Sequence, residues 1–230
     1  MAKDNLNKQV DNLTEVENVL TKSEQYIEKN QKMLMIVVGG IVLVVAAVLG
    51  VNKFYLQPKG KEAQEQMFMA EQYFAKDSFN LALNGDGSAL GFLDIIDDFG
   101  STKAGNLACY YAGISYLHMG QYQDAINYLD KFSTDDLLLG PIAVGAKGDA
   151  YMELGQADKA LDLYKKAYGL TDNELTTPVY MMKAAGVLES KNNFAEALKI
   201  YETLKQKYPN SNEGRSIDKY IARAKIKLNS

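Results

Sequence analysis

The sequence predicts an all-α protein: an N-terminal helix, a single transmembrane helix, and then a solenoid of stacked helical hairpins. Three observations predict it. Met33 to Val51 is a run of 19 residues without a charged or polar side chain. Beyond residue 100 a pattern of small and bulky residues recurs every 35 to 37 positions, the length of two helices and their connections. Within each copy a Gly or Asn falls at the same place, where a hairpin needs its turn. These features divide the chain into a tail (1–32), a membrane helix and its exit (33–55), a linker (56–61) and a repeat domain (62–230).

The tail carries Leu6, Leu13, Leu20 and Ile27 at sevenfold spacing, with Val10 and Val16 filling the same side, and Thr21 and Glu24 have capping-box spacing. An amphipathic helix follows from this. Glu17 and Glu24 stand where a tight seam needs apolar residues, so a solvated helix and a short coiled coil or docking helix both remain open.

The 19 apolar residues, at about 1.5 Å each, span about 28 Å, close to the hydrocarbon thickness of a bilayer. Nine of them are Val or Ile, which raises the alternative of a buried strand, but such strands run to about 4–8 residues. A cleaved signal peptide has a short charged leader, whereas 32 residues precede this run, so the reading is an uncleaved signal anchor. Ala46 and Gly50 form a small-xxx-small pair that suits helix contact in a membrane. Orientation is not legible from charge, because Lys22, Lys29 and Lys32 are balanced by Lys53, Lys59 and Lys61.

In the repeat domain, Gly113, Tyr116, Gly120, Tyr122 and Ala125 recur 35 residues later as Gly148, Tyr151, Gly155, Ala157 and Ala160. A third copy, two residues longer, gives Ala185, Leu188, Asn192, Phe194 and Ala197, then Tyr201, Leu204 and Pro209. Small residues at Gly113, Gly148 and Ala185 let the two helices of a pair approach, and bulky ones fill the gap beside them. Gly120, Gly155 and Asn192 tolerate the left-handed conformation that ends a helix. The pattern is similar to that of the tetratricopeptide repeat (TPR), with three clear copies.

Upstream, Glu62 to Leu83 has helical periodicity through Met67, Ala70, Tyr73 and Phe74, and Ala89 to Phe99 has another apolar stripe through Leu93 and Ile96. Together they predict a degenerate first repeat whose turn is enlarged by Asn84-Gly85-Asp86-Gly87-Ser88, a segment without the closing Glu of a calcium loop. Downstream, Ile217, Tyr220, Ile221, Ala224 and Leu228 share one helical face, opposite Arg215, Lys219, Arg223, Lys225 and Lys227. This predicts a capping helix whose basic face is solvated or meets anionic lipid or an acidic partner. Residues 77–162 carry a net charge of −9 and residues 199–230 a net charge of +5, so the domain is electrically polar.

In such arrays the first helices of the pairs line a groove. That geometry selects Leu107, Tyr110, Ile114, Leu117 and His118 from one copy. Ile142, Asp149, Met152 and Glu153 follow from the next, then Val179, Met182, Glu189 and Ser190. The row grades from apolar to acidic, which suits an amphipathic helix or an unfolded segment. The Lys, Arg and Asn of a carboxylate clamp are missing from these positions. Coverage of the row by the domain's own terminal elements is the alternative.

Other activities are excluded on composition and spacing. A net charge of −4 leaves no basic excess for nucleic acid. Cys109 is the one cysteine and His118 the one histidine, so an intrachain disulfide is impossible and a Cys/His zinc site lacks ligands. The two stand nine residues apart, about 180° around a helix, and do not form a catalytic pair. No phosphate-binding loop is present, so neither enzyme activity, cofactor nor small-molecule substrate is expected.

The stretch Asp77-Ser78-Phe79, Leu81-Ala82-Leu83-Asn84-Gly85-Asp86-Gly87 and Gly91-Phe92-Leu93-Asp94-Ile95-Ile96-Asp97, with the order tail, span and TPR domain, resembles the YfgM-type proteins, ancillary subunits of the bacterial Sec translocon. The resemblance implies a single-pass inner-membrane protein with a cytoplasmic N-terminus and a periplasmic TPR domain. It implies translocon subunits and a membrane-anchored peptidyl-prolyl isomerase chaperone as partners. The enlarged first repeat departs from the standard form, and a structural scaffold for a cell-envelope or division complex is the alternative role.

Overall fold

The computed structural model describes residues 29–229, so the amphipathic tail expected before them lies outside the described residues. The chain divides into two units, Met1–Pro58 and Lys59–Ser230.

In the first unit residues 29–51 form helix α1, and none of the apolar run is buried. It is long and apolar enough to cross a membrane. A π-helical turn, Asn52–Leu56, follows, in which the Gln57 N–H donates to the Asn52 carbonyl five residues back. Pro58 comes next. Its ring and missing N–H disrupt an α-turn at the carbonyl four residues back, and the wider turn accommodates this. Residues 56–61, the expected linker, are helical.

The helices that follow are α2 (Gln57–Ala75), all but its first two residues in the second unit, then α3 (Phe79–Asn84), α4 (Phe92–Phe99), α5 (Lys103–His118), α6 (Tyr122–Lys131) and α7 (Leu139–Glu153). The second unit continues with α8 (Ala157–Leu170), α9 (Thr177–Ser190), α10 (Phe194–Lys207), α11 (Asn212–Arg215) and α12 (Asp218–Leu228). Successive helices pack on one another from α4 to α10, and α12 packs on α10. The result is a row of hairpins held by near-neighbour contacts.

Four hairpins share one turn. Asp77, Gly120, Gly155 and Asn192 take positive φ angles of 55°, 74°, 71° and 59°. Beside them the N–H groups of Ser78, Gln121, Gln156 and Asn193 donate to Tyr73, Tyr116, Tyr151 and Leu188, five residues back, at 2.8–2.9 Å. Each turn thus caps the carbonyls left open by the first helix. Ala82, Ala125, Ala160 and Ala197, five residues beyond each turn residue, are all completely buried.

This corrects the expected first repeat. Glu62 to Leu83 is not one helix, because the chain turns at Lys76–Ser78, and the loop Asn84–Ser88 interrupts the second arm of the hairpin rather than joining the two arms. Asp77 lies 43 residues before Gly120, against 35 between Gly120 and Gly155, and most of the surplus of eight is the seven-residue segment 85–91 that separates α3 from α4. The loop closes on itself: a Cβ on Gly91 would stand 2.1 Å from the Leu83 carbonyl oxygen and 2.5 Å from the Gly85 nitrogen. Inside it, one Asp86 oxygen accepts the Ser88 and Ala89 N–H groups at 2.8 Å, while the other accepts the Tyr73 hydroxyl at 2.6 Å.

Small residues meet large ones across the middle hairpins. A Cβ on Gly113 would lie 2.5 Å from Leu129 Cγ, and one on Gly148 would lie 2.6 Å from the Tyr164 ring. The last hairpin repeats the pairing with Ala185 and Tyr201, both buried. Ile217 and Ala224 are buried in the C-terminal core, with Tyr220 and Ile221 packed against it, so the final segment covers the end of the array. It is two helices, α11 and α12, because Ser211 caps a four-residue turn through the Gly214 N–H at 2.9 Å before the chain turns into α12.

Candidate protein-binding face

The first helices of the three regular hairpins, α5, α7 and α9, carry every residue selected from the sequence. None of them is fully buried: His118, Glu153 and Ser190 are exposed, and Leu107, Tyr110, Ile114, Leu117, Ile142, Asp149, Met152, Val179, Met182 and Glu189 are half-buried. A half-exposed apolar row on adjacent helices is a surface from which water can be displaced by a partner.

The apolar members differ in what they already touch. Tyr110, Ile114 and Leu117 pack on Leu129, Ala143 and Ala146, joined by Phe132. Leu107 belongs to the cluster around the first hairpin, and the His118 ring stacks flat on Phe79 of α3 with centroids 4.6 Å apart. Met152 and Met182 pack against the C-terminal core. Ile142 and Val179, half-buried like the others, belong to none of the three clusters.

The acidic end of the row is largely neutralised within the fold. Both Asp149 oxygens accept from Lys183 Nζ, at 2.6 and 2.7 Å, and Asp149 Oδ1 also accepts the Tyr164 hydroxyl at 2.7 Å. The same ammonium lies 5.7 Å from the centroids of both Tyr164 and Tyr180. Burial, reinforced by Asp149, holds both phenols well above their usual range, so they remain donors. Glycines make the site: a Cβ on Gly145 would stand 1.9 Å from the Tyr180 ring, so that ring lies against the bare backbone of α7. Glu189 pairs with Arg223 of α12, and Glu153 accepts the Tyr122 hydroxyl at 3.3 Å.

Sequence reasoning missed Lys183 because it sits one hairpin away, 34 residues from its partner. Its signal was there, since 34 is close to the repeat length and places Lys183 beside Asp149 on neighbouring first helices. The terminal elements take up the two ends of the row, α3 through His118 and α12 through Glu189, and leave its middle between them.

Chemistry on bound molecules finds little here. Cys109 is buried and burial pushes its thiol up, away from the reactive thiolate. Among the described residues no group of three His, Cys, Asp or Glu side chains could hold a metal ion.

Residues 110–174 and 180–211 match family models for the tetratricopeptide repeat. Residues 110–211 thus carry tetratricopeptide repeats, and the array has the fold of a TPR solenoid. Two crystal structures of nearly identical TPR-like repeats, from a protein of Podosopora anserina described as a kinesin light chain, align with 74% of this chain and 88% of theirs. Both give a TM-score of 0.57, at 14% and 13% identity, so the likeness extends to the fold alone. No curated protein matches the chain by sequence. The TPR fold is a scaffold for protein–protein interaction, and the matches begin at Tyr110, leaving the interrupted first hairpin beyond them.

Proposed function

We propose that this chain is a non-enzymatic, membrane-anchored TPR module that grips other proteins along α5, α7 and α9. The half-exposed apolar row carrying Ile142 and Val179 between neutralised ion pairs supports this reading best, because it offers area without an active group. α1 is read as a single span in the bacterial inner membrane, with the N-terminus cytoplasmic and the TPR domain periplasmic. The resemblance to YfgM-type proteins favours a place at the Sec translocon, assisting a membrane-anchored peptidyl-prolyl isomerase chaperone with translocating chains.

Two experiments test it. Alkaline phosphatase fused to the C-terminus is active only if that end is exported, and a silent fusion refutes the topology. Affinity capture of the full chain in mild detergent should recover translocon subunits and the isomerase, and Ile142→Lys with Val179→Lys should lose them while the helical circular dichroism persists. Recovery of cell-wall or division machinery alone would instead establish a structural scaffold.

A further inference from the structure

The first helices α5, α7 and α9 run in one direction, since each is followed by a second helix that returns, so their N-terminal ends share one edge of the array. Leu107, Ile142 and Val179 of the binding row stand near those ends. The row does not stop there. The Leu138 carbonyl accepts the Ile142 N–H at 3.1 Å, which places Leu138 one turn before Ile142 on the same side of α7. Leu175 precedes Val179 by the same four residues. With Leu137 they carry the apolar row out onto the loops 132–138 and 171–176: Leu137 is 70% exposed, Leu175 69% and Leu138 41%.

Both loops are ordered by their own side chains. Asp136 accepts the N–H groups of Leu138 and Leu139 at 2.8 Å, and Asn173 accepts those of Leu175 and Thr176 at 2.9 and 2.8 Å. Asn106 of α5 exchanges two hydrogen bonds with the Ser133 backbone, at 2.9 and 3.0 Å, and pins the first loop to the neighbouring hairpin. Leucines held open on preordered loops, in line with an apolar row, need a reason that single scattered ones do not. Charge supplies the rest. Within the row Asp149 is paired with Lys183 and Glu189 with Arg223. On the loop edge, among the described residues, no ion pair holds Asp97, Asp98, Asp135, Asp136 or Glu174, all of them exposed. Lys103 and Lys207 offset this in part, the latter sharing a cleft with Asp172.

We infer that the occupant of this row is a cationic amphipathic helix of another protein, with leucine-like side chains on one face and Lys or Arg beside them. The inference rests on the groove reading and gives its guest a chemistry. Exposed leucines rimmed by carboxylates attract a segment that carries apolar side chains and positive charge together. Helices packed side by side stand about 8–10 Å apart, so crossing from α5 to α9 takes about 20 Å, or about 13 residues of helix. The apolar face of the guest covers Leu138, Ile142, Leu175 and Val179, and its cations reach Asp135 and Glu174. The ordered loops lose little freedom when it docks. An acidic segment is repelled by the same rim.

The test uses the full chain in phosphatidylcholine nanodiscs, with empty discs as the reference. The probe is a labelled peptide of about 14 leucines and lysines patterned as an amphipathic helix, and its control carries glutamate in place of every lysine. Fluorescence anisotropy should show the lysine peptide bound and the glutamate peptide free. Asp135→Lys with Glu174→Lys should weaken the lysine peptide roughly tenfold at low salt. Adding Asp97→Lys and Asp98→Lys should let the glutamate peptide bind, a gain that unfolding cannot produce. Leu138→Ser with Leu175→Ser should weaken the lysine peptide without reversing the preference. The inference is overturned if the wild-type chain binds both peptides alike or neither, or if the charge reversals leave the preference unchanged. Such a result leaves the groove reading standing as long as Ile142→Lys with Val179→Lys still abolishes capture of partners. Capture that survives that pair removes the groove reading and this inference together. Self-association in sedimentation velocity that Asp135→Lys with Glu174→Lys abolishes would give the row to a second copy and overturn the inference as well.

Discussion

The first hairpin and the α7/α8 hairpin turn by the same bonds and fill their interiors by opposite means. In α7/α8, Gly145 and Gly148 strip side chains from one helix so that tyrosine rings lie on its backbone. In the first hairpin aromatic rings do the filling: Phe74 meets Phe79, Phe92 and Tyr111 at 5.6, 6.3 and 5.0 Å, and Phe92 stacks on Tyr111 at 5.0 Å. The second arm there is broken by seven residues, yet the turn at Asp77 is unchanged. The constant of this fold is the capped turn, and the interior is free to vary as long as its volume is filled.

The largest test of that contrast removes a ring from the first hairpin. Phe92→Ala, at a completely buried position, should cost about 3–5 kcal/mol in chemical denaturation, since its ring neighbours Phe74 and Tyr111 cannot close the cavity. Gly145→Ala attacks the other solution and should cost about 1–3 kcal/mol by displacing Tyr180, with a lower Tm and loss of the Lys183 contact. If Gly145→Ala proves neutral, the close approach of α7 and Tyr180 is not a constraint.

The turns themselves should respond alike. Gly120→Ala and Gly155→Ala each put a side chain at positive φ and should cost about 1 kcal/mol, whereas Asp77→Gly and Asn192→Gly should shift stability by less than about 1 kcal/mol. A large loss at Asp77 would show that the first turn differs from the rest. The smallest effect concerns the inserted loop. Tyr73 and the loop amides hold the Asp86 carboxyl far below its ordinary value of 3.8, so its contribution is present at neutral pH. It is lost as pH falls through that depressed value. Asp86→Asn should therefore open the loop to protease at pH 7 while leaving the global Tm nearly unchanged.

The same contrast explains what was legible in the sequence. Gly120, Gly155 and Asn192 announced their turns because Gly and Asn are the usual occupants of a left-handed position and the period brought them into line. Asp77 stands at the equivalent place with Ala70, Tyr73, Phe79 and Ala82 at the right offsets. The eight-residue insertion broke the period, and Asn84–Ser88 looked like the better turn. The groove residues were legible as positions on helices. Their partners were not, because Lys183 for Asp149, Arg223 for Glu189 and Phe79 for His118 come from other hairpins or the terminal cap. Which of two nearby charges neutralises the other depends on helix rotation and side-chain reach, and neither is written in a repeat pattern.

The Tyr180 ring lying against the bare backbone at Gly145 also has a mechanical meaning. This contact sets the ring of α9 directly on α7 with no α7 side chain between them, so a shift of one helix against the other must move the ring. The neighbouring joint is made differently, from Tyr110, Ile114 and Leu117 against Ala143 and Ala146, aliphatic and aromatic surfaces able to slide. Bending of the array around a guest is therefore expected at the α5/α7 joint before the α7/α9 one.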